Sequence, residues 1–201
     1  MRQVTGRSSN NSNSKASIRL ASGGRFFSAS SLNDLADSGD IEVVVDTAKA
    51  TLVPIEAASS CDASQLLFLA QLSCSQDEIA IFTEPVDGCV AAVAISSTAH
   101  KAITDRLGLR MRVTTPLLDF RHSEQNCISI ICGESCYYIH LYNNGLKVAE
   151  TLCISEPEDL LYYIHKIATI EQLPQNTPIY IIKADKEVVK TIKKYYKVIC
   201  E

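Results

Sequence analysis

The order of the predicted elements after residue 126 limits the fold of this chain more than any other feature. Short apolar runs rich in Ile, Val and Tyr predict β-strands, and stretches with apolar residues every three to four positions predict helices. Gly133-Glu134-Ser135 and Asn143-Asn144-Gly145 join the first three strands through tight turns. In chain order the predicted elements are strands at 127–132, 136–142 and 146–153, a helix from 155, a strand at 178–182, a helix from 185 and a strand at 197–200.

This β-β-β-α-β-α-β order predicts a mixed sheet with helices packed on it, and it is typical of a ribonuclease H-like unit. The first half of the chain follows a looser version of the same plan. It offers a hairpin around Ser22-Gly23-Gly24, a third strand at 41–46, and then helix, strands and helix. Two such units in tandem form the architecture of the actin, sugar-kinase and heat-shock ATPases.

The predicted fold class is therefore α/β (α+β), with two ribonuclease H-like lobes built on mixed sheets. Residues 1–15 are rich in Ser and Asn and predict a flexible N-terminal arm. Residues 16–115 are predicted to form the first lobe, 116–125 a connector, and 126–201 the second lobe.

Helix ends carry recognisable signals in several places. Asp62 with Gln65 predicts a capping box, and Ser96 or Ser97 predicts the start of a helix that ends at Gly108. Ser155 with Glu158 predicts a second capping box, and Asp185 predicts the cap of the last helix. On that last helix Val188, Val189, Ile192, Tyr195 and Tyr196 are expected to face inward.

Composition excludes several classes of protein. With 46% hydrophobic and 21% charged residues the chain has ample material for a core, which excludes wholesale disorder. The net charge of −4 argues against a nucleic-acid partner, and no apolar run has the length of a membrane span. The chain opens without the apolar stretch of a signal peptide, so a cytoplasmic location is expected.

The eight cysteines are expected to be free thiols that pack as small apolar groups, because there is no C-x-x-C pair and the expected compartment is reducing. If Asn144-Gly145 is the centre of a two-residue turn, Tyr142 faces Lys147, His140 faces Ala149 and Cys136 faces Cys153. Cys136, His140 and Cys153 are then candidate ligands for a soft metal such as zinc, with Cys127 as a fourth. The alternative, which we favour, is that these side chains only pack, and no metal is predicted.

Thr51-Leu52-Val53-Pro54, Asn143-Asn144-Gly145-Leu146 and the run from Pro157 to Ile164 resemble a bacterial family of unknown function whose fold is actin-like. The resemblance extends from about Ala16 to the C-terminus. It implies a small, two-lobed actin-like ATPase fold. Because the matching stretches are turn and core patterns, it implies no catalytic residue.

A nucleotide site of this fold needs hairpin glycines for the phosphates and carboxylates for the metal-bound water. Gly23, Gly24 and Gly133 are the candidate glycines, but Ser17, Arg19 and strand 127–132 supply no carboxylate. The glycine pair expected on the adenine side is replaced by Ile182-Lys183-Ala184-Asp185. We therefore predict no catalytic residue, no cofactor and no enzyme activity.

Other polar residues give weaker signals. His100, His122 and His165 have no nucleophile or acid at a motif-like distance, so no catalytic triad is predicted. The lysine face of the last helix could meet a phosphate or an acidic partner, although such a run more often forms the solvated face of an amphipathic helix. Its members are Lys186, Lys190, Lys193 and Lys194.

The function predicted is that of a non-catalytic, actin-like interaction or scaffold protein with another protein as its partner. Pilus and secretion machineries use two-lobed proteins of this fold as docking platforms, so the resemblance supports a protein partner. One alternative is a weak nucleotide-binding switch that uses Gly23 and Gly24. A second alternative is a metal- or redox-active protein built on Cys136 and Cys153. The oligomeric state stays open.

Overall fold

A computed structural model describes residues 17–21, 26–27, 39–183 and 185–201, so the predicted arm at 1–15 lies outside the described residues. The strands are β1 (Ser17–Ala21), β2 (Phe26–Phe27), β3 (Ile41–Asp46), β4 (Ala50–Pro54), β5 (Glu78–Phe82), β6 (Cys89–Ser96), β7 (Met111–Thr114), β8 (Cys127–Cys132), β9 (Tyr137–Tyr142), β10 (Leu146–Leu152), β11 (Ile179–Ile182) and β12 (Val198–Cys200). The helices are α1 (Ile55–Ala58), α2 (Ala63–Leu69), α3 (Ser97–Leu107), α4 (Pro157–Ile170) and α5 (Lys186–Ile192).

The second half of the chain forms a five-stranded sheet in the order β10-β9-β8-β11-β12. Strands β8, β9 and β10 are an antiparallel meander, whereas β11 is parallel to β8 and β12 is parallel to β11. Helices α4 and α5 cover one face of this sheet through an aliphatic core that includes Leu160, Ile164 and Ile192. The β-β-β-α-β-α-β order predicted from the sequence is confirmed.

The first half forms a four-stranded sheet in the order β2-β1-β3-β7. Strand β1 is antiparallel to β2 and parallel to β3, and β7 is parallel to β3. This sheet repeats the order β9-β8-β11-β12 of the second sheet. The predicted third strand, Ile41–Asp46, therefore lies beside β1, in the place that β11 takes beside β8.

A small antiparallel sheet, in the order β4-β6-β5, is inserted between β3 and β7. Strand β6 is buried on both faces: Ala91, Val93 and Ile95 contact the core of the first sheet, while Ala92 and Ala94 contact α2. Alanine suits the second face because a helix packs closely against a strand only where the side chains are small.

One apolar core joins the two larger sheets. It combines Ile18 and Val43 of the first sheet with Ile131, Tyr138 and Ile182 of the second. The 3₁₀ turn at Pro116–Leu118, between β7 and β8, is buried in this core. The alternation of side chains along β8 and β9 directs one set of residues to α4 and α5 and the other set to the first sheet. The predicted division at 116–125 stays a prediction.

Most of the predicted helix signals are confirmed, and one is wrong. Asp62 forms the capping box with Gln65, Ser96 and Asp185 cap their helices, and α3 ends at Gly108. Helix α4 begins instead after Glu156, without a side-chain capping hydrogen bond, so the predicted box at 155–158 is absent. Pro157 explains the shift, since the ring occupies the first helical position and makes the residue before it the cap.

Two further details differ from the expectations. A bulge in β10 places Tyr142 opposite Leu146 instead of Lys147, although His140 lies opposite Ala149 as expected. Tyr195 is 64% exposed and does not face inward. In the part of the chain that the structure covers, no helix has both the length and the hydropathy to cross a bilayer.

Candidate functional site

The carboxylate of Asp46 lies between the two larger sheets. Asp46 ends strand β3 and is 1% exposed. Its Oδ1 accepts a hydrogen bond from the Tyr138 hydroxyl at 3.0 Å, and its Oδ2 accepts one from the Glu134 N–H at 3.2 Å. The Nε of Arg19 lies 3.4 Å from Oδ2, which is an ion pair and not a hydrogen bond. One buried charge thus connects β1 and β3 to the hairpin between β8 and β9.

The Tyr138 hydroxyl extends this network. It accepts a hydrogen bond from the Thr47 N–H at 2.8 Å while it donates to Asp46. Burial raises the pKa of Tyr138 far above its usual range, and the nearby Cys136 and Asp46 raise it further. The phenol therefore stays protonated and remains a hydrogen-bond donor to the carboxylate.

Gly133 allows the carboxylate to reach the hairpin backbone. A Cβ at Gly133 would lie 2.5 Å from Asp46 Oδ1 and 2.8 Å from the Cys136 carbonyl oxygen, closer than atoms approach one another. The hairpin glycine that the resemblance assigns to a phosphate thus faces a carboxylate of the same chain. The other two candidate glycines, Gly23 and Gly24, lie outside the described residues.

Cys136 is buried beside this network. Its Sγ lies 3.8 Å from Asp46 Oδ1. Burial raises the pKa of the Cys136 thiol to about 12, with smaller contributions from Asp46 and Cys153, so the sulfur stays protonated. The register of β9 with β10 ends at the pair Tyr137 and Leu152, so Cys136 and Cys153 each lie next to one of the last paired residues. Cys153 itself is exposed, and both cysteines are free thiols.

His140 lies on the same face of β9, at the connector. Its Nε2 is 2.8 Å from the Leu117 carbonyl oxygen, so this nitrogen carries the proton and donates. Burial lowers the pKa of His140, and its Nδ1 has no partner among the described residues. The ring stacks on Tyr142 and meets Phe120 edge-on. His140 is therefore a neutral, buried donor.

The structure does not bring the candidate metal ligands together. Cys136 and His140 are four residues apart on one strand, which is about 13 Å at the rise of a β-strand, and Tyr138 lies between them. The Sγ of Cys127, the fourth candidate, lies near the His122 carbonyl oxygen at 3.9 Å. Within the described ranges no group of three His, Cys, Asp or Glu residues is arranged to hold a metal ion.

A cleft of about 450 Å³ opens between the sheets, next to the Asp46 network. Apolar residues line it together with three cations and two carboxylates. The cations are Arg19, Arg121 and Lys183, and the carboxylates are Glu42 and Asp119. Arg121 is paired with Asp119 at 2.6 Å. Burial works to raise the pKa of Asp119, but the hydrogen bonds and charge of Arg121 outweigh it and hold that pKa below its usual range.

Lys183 gives the cleft a free positive charge. Its ammonium has no ion-pair partner among the described residues, and its pKa is lowered by burial and by the nearby Arg19 and Arg121, against the opposite effect of Asp46 and Asp119. Its backbone adopts a positive φ of 58°, a conformation that usually needs glycine. In the segment expected to carry a glycine pair, Lys183 thus has a backbone conformation typical of glycine but carries a long, charged side chain. Ala184, next to it, lies outside the described residues.

Two residues of this site are not among the residues predicted from the sequence. Asp46 ends the predicted strand 41–46, and a carboxylate directly after Val43-Val44-Val45 is a signal that a buried charge needs partners. Thr115 has no comparable signal: it lines the cleft, is 2% exposed, and its hydroxyl has no partner in the described part of the chain.

Comparison with known proteins bears on the fold alone. No family model matches the chain, and no curated protein matches it either. A protein of unknown function from Bacteroides thetaiotaomicron, solved as an actin-like ATPase fold, superposes with a TM-score of 0.69 at 13% identity, over 93% of this chain and 91% of that chain. This chain has the actin-like ATPase fold. The resemblance to an uncharacterised bacterial family predicted that fold, which is confirmed.

Two other solved structures are less similar to this chain. The cytoplasmic domain of EpsL, an inner-membrane component of the type II secretion system of Vibrio cholerae, has a TM-score of 0.39 at 12% identity over 82% of this chain and 80% of that chain. An AlfA filament bound to AMPPNP has a TM-score of 0.37 at 12% identity over 81% of this chain and 53% of that chain. At these scores neither contributes to the argument.

Proposed function

We propose that this chain is a non-catalytic actin-like protein that acts as an interaction module in the cytoplasm. One observation carries the proposal: the carboxylate of Asp46 occupies the glycine hairpin between β8 and β9. The backbone N–H that a phosphate oxygen would need there, that of Glu134, already donates to Asp46.

A phosphate could enter this hairpin only by displacing the carboxylate or by lying against it. A nucleoside triphosphate brings about three to four negative charges, which repel a buried carboxylate strongly in a medium of low dielectric. Strand β8 supplies no carboxylate to hold a magnesium ion, since its residues are Cys127-Ile128-Ser129-Ile130-Ile131-Cys132. These features argue against nucleotide hydrolysis, whether a nucleotide binds without being hydrolysed or does not bind.

The same contact supports an interaction role. In an ATPase of this fold the nucleotide joins the two lobes, whereas here a side chain of the protein joins the two sheets. The relative position of the two sheets, and therefore the outer surface of the protein, then does not depend on a bound ligand. Large apolar side chains are also exposed: Tyr162 and Tyr195, 71% and 64% exposed, line one hollow together with Leu161. A contiguous exposed apolar patch is typical of a protein-binding surface.

The test is calorimetric titration of the protein with ATP and magnesium, together with a phosphate-release assay. We expect no saturable isotherm below millimolar ATP and no phosphate release above background. A saturable isotherm together with turnover would contradict the proposal. The Lys183→Ala and Lys197→Ala variants separate a cleft site from adventitious binding, because Lys183 lines the cleft and Lys197 does not.

The cleft favours a second candidate function, a weak nucleotide-binding switch. Arg19, Arg121 and Lys183 supply positive charge, and the Thr115 hydroxyl is buried without a partner among the described residues. For this candidate the titration gives a weak isotherm that Lys183→Ala abolishes and Lys197→Ala leaves unchanged, still without phosphate release.

A further inference from the structure

A groove runs along α4 on the face of the second sheet that lies away from the cleft. It consists of two neighbouring hollows of about 330 and 350 Å³, and His165 and Tyr196 line both of them. We call it the aromatic groove and define it by Glu158, Leu161, Tyr162, His165, Tyr195 and Tyr196.

The sequence builds this groove from one stripe of α4 and the turn after α5. Positions 158, 161, 162 and 165 are three or four residues apart, so they lie on one side of the helix. His165 Nδ1 and the Tyr196 hydroxyl are 3.1 Å apart and share a hydrogen bond, which fixes the floor between the hollows. Tyr162 is 71% exposed and Tyr195 is 64% exposed. The groove is thus formed in advance but lacks a cover in the described residues.

The groove lies beside a concentration of positive charge. The chain as a whole has a net charge of −4. In contrast, residues 185–197 contain five exposed lysines against two carboxylates, Asp185 and Glu187, and on α4 Lys166 follows His165 while Glu158 lines the groove itself. Five of these lysines have no ion-pair partner in the described part of the chain. They are Lys166, Lys186, Lys190, Lys193 and Lys194. Water solvates these exposed lysines in the free protein, and together they offer a complementary surface to acidic residues of a partner.

We propose that the aromatic groove binds an acidic segment of a partner protein that carries apolar anchor residues. The anchors bury against Leu161 and the tyrosines, and tyrosine is one of the residue types that dominate binding energy at protein interfaces. The acidic positions lie over the unpaired lysines and set the orientation and the rate of association. This inference rests on the proposed interaction role and names its surface and the chemistry of its partner.

Charge argues against a second copy of this chain as the occupant. A symmetric dimer whose two-fold axis passes near Lys193 and Lys194 would bring the lysines of the two copies together. Like charges held together in an interface are unfavourable. An acidic segment meets the same surface without that repulsion.

The probe is a fluorescein-labelled peptide of about twelve residues, with leucines at positions 1, 4, 5 and 8 and glutamates elsewhere, the spacing of a helix that anchors in a groove. Fluorescence anisotropy with the full chain measures its affinity. A second peptide replaces every glutamate by lysine, and a third replaces every leucine by serine. We expect saturable binding of the first peptide only, weakened as the salt is raised from about 50 to about 300 mM, since salt screens exposed charges.

Matched variants locate the site. We expect Tyr162→Ala to weaken the acidic peptide about tenfold, the effect of losing one anchor contact, and Phe68→Ala to leave it unchanged. Both residues are equally exposed, 71% and 72%, so both truncations leave the core intact. Lys193→Glu with Lys194→Glu is expected to weaken binding about tenfold or more, and Lys101→Glu with Lys147→Glu, an equal change of net charge on other elements, is expected to have little effect.

Several results would overturn the inference. The first is a lack of saturable binding of the acidic peptide. The second is equal affinity for the acidic and the basic peptide, and the third is an affinity that Tyr162→Ala leaves unchanged. A concentration-dependent dimer in light scattering that Tyr162→Ala abolishes would assign the groove to a second copy. Tighter binding to anionic vesicles than to the peptide, with the same dependence on the lysines, would assign it to a membrane surface. None of these results alters the ATP titration, because the cleft lies on the opposite face of the second sheet.

Discussion

Asp46 links the two larger sheets through one buried carboxylate. Its carboxylate is buried, yet it has a cation, a hydroxyl donor and a backbone N–H within reach. A buried carboxylate is tolerated only with such partners. Two of these three partners, the Tyr138 hydroxyl and the Glu134 N–H, come from the hairpin at 133–138, so the contact holds the two sheets together.

We expect Asp46→Ala to lower the free energy of unfolding by about 3 kcal/mol, because it leaves the Tyr138 hydroxyl and Arg19 without their charged partner. Asp46→Asn should lower it less, since the amide oxygen still accepts a hydrogen bond. Urea unfolding followed by circular dichroism measures both. Asp77→Ala, at an exposed aspartate, is the control and should stay within about 0.5 kcal/mol of the unaltered protein. Equal stability of Asp46→Ala and Asp77→Ala would show that the network is not stabilising.

The buried His140 makes the free energy of unfolding depend on pH. Burial lowers its pKa below that of the unfolded chain, which is about 6.5, whereas Asp119 acts to raise it and His122 to lower it further. In acid the unfolded state therefore binds a proton that the folded state does not, so stability is lost as the pH falls below about 6.5.

The measurement is urea unfolding at pH values from about 5 to about 8. We expect the difference in stability between the unaltered protein and His140→Gln to become smaller at acid pH. The glutamine amide can donate to the Leu117 carbonyl oxygen but cannot take up a proton. His100→Gln, at a histidine on the surface of α3, serves as the control. Parallel pH profiles for the protein and His140→Gln would contradict the assignment.

At the scale of elements, helix α4 has the weakest start of the longer helices. Its cap, Glu156, makes no side-chain hydrogen bond, whereas Asp62 and Ser96 cap α2 and α3 with theirs. Glutamate is too long to reach the free N–H groups of the first turn in the way that aspartate does. The backbone of Glu156 is already extended, as a capping residue requires.

We therefore expect Glu156→Asp to raise the free energy of unfolding by about 0.5–1 kcal/mol. Asp62→Ala, which removes an existing cap, should lower it by about 1 kcal/mol and calibrates the measurement. Thermal and urea unfolding of both variants test the pair. No gain in Glu156→Asp, alongside the expected loss in Asp62→Ala, would mean that another group already satisfies the first turn of α4.

At the scale of the whole molecule, the two larger sheets depend on each other. The face of the second sheet that lies away from α4 and α5 carries Ile131, Tyr138 and Ile182, and these pack into a core shared with Ile18 and Val43. Separating the halves would expose this apolar face to water. The sequence pattern alone, with its complete ribonuclease H-like order after residue 126, suggests no such dependence.

We expect the isolated fragment 126–201 to show no cooperative unfolding transition, whereas the full chain unfolds in a single transition. Urea unfolding monitored by circular dichroism, and dye binding to exposed apolar surface, compare the two. A second fragment, 116–201, includes the buried 3₁₀ turn at Pro116–Leu118 and is the control for the loss of that turn alone. A cooperative transition in either fragment would show that the second half is an independent domain.

The local order of the chain could be predicted because it depends on neighbours in sequence. Alternation along β8 and β9, the Asn144-Gly145 turn, and the capping residues Asp62 and Asp185 each act within about four positions. The strands, helices and their order follow from such short-range preferences. The one wrong cap, at Ser155, involved a competition between neighbours that Pro157 decided.

The sequence by itself thus determined the elements, their order and the actin-like fold that the order implied. Only the tertiary structure decided that β3 lies beside β1, that Asp46 meets a hydroxyl 92 residues away on Tyr138, and that the glycine hairpin holds a carboxylate. The reason is physical: a buried charge takes its partners from whatever the packing of two sheets brings within about 3 Å. That packing is set by the shape of the whole core, so the apolar run before Asp46 signals that the carboxylate needs partners but not which residues supply them.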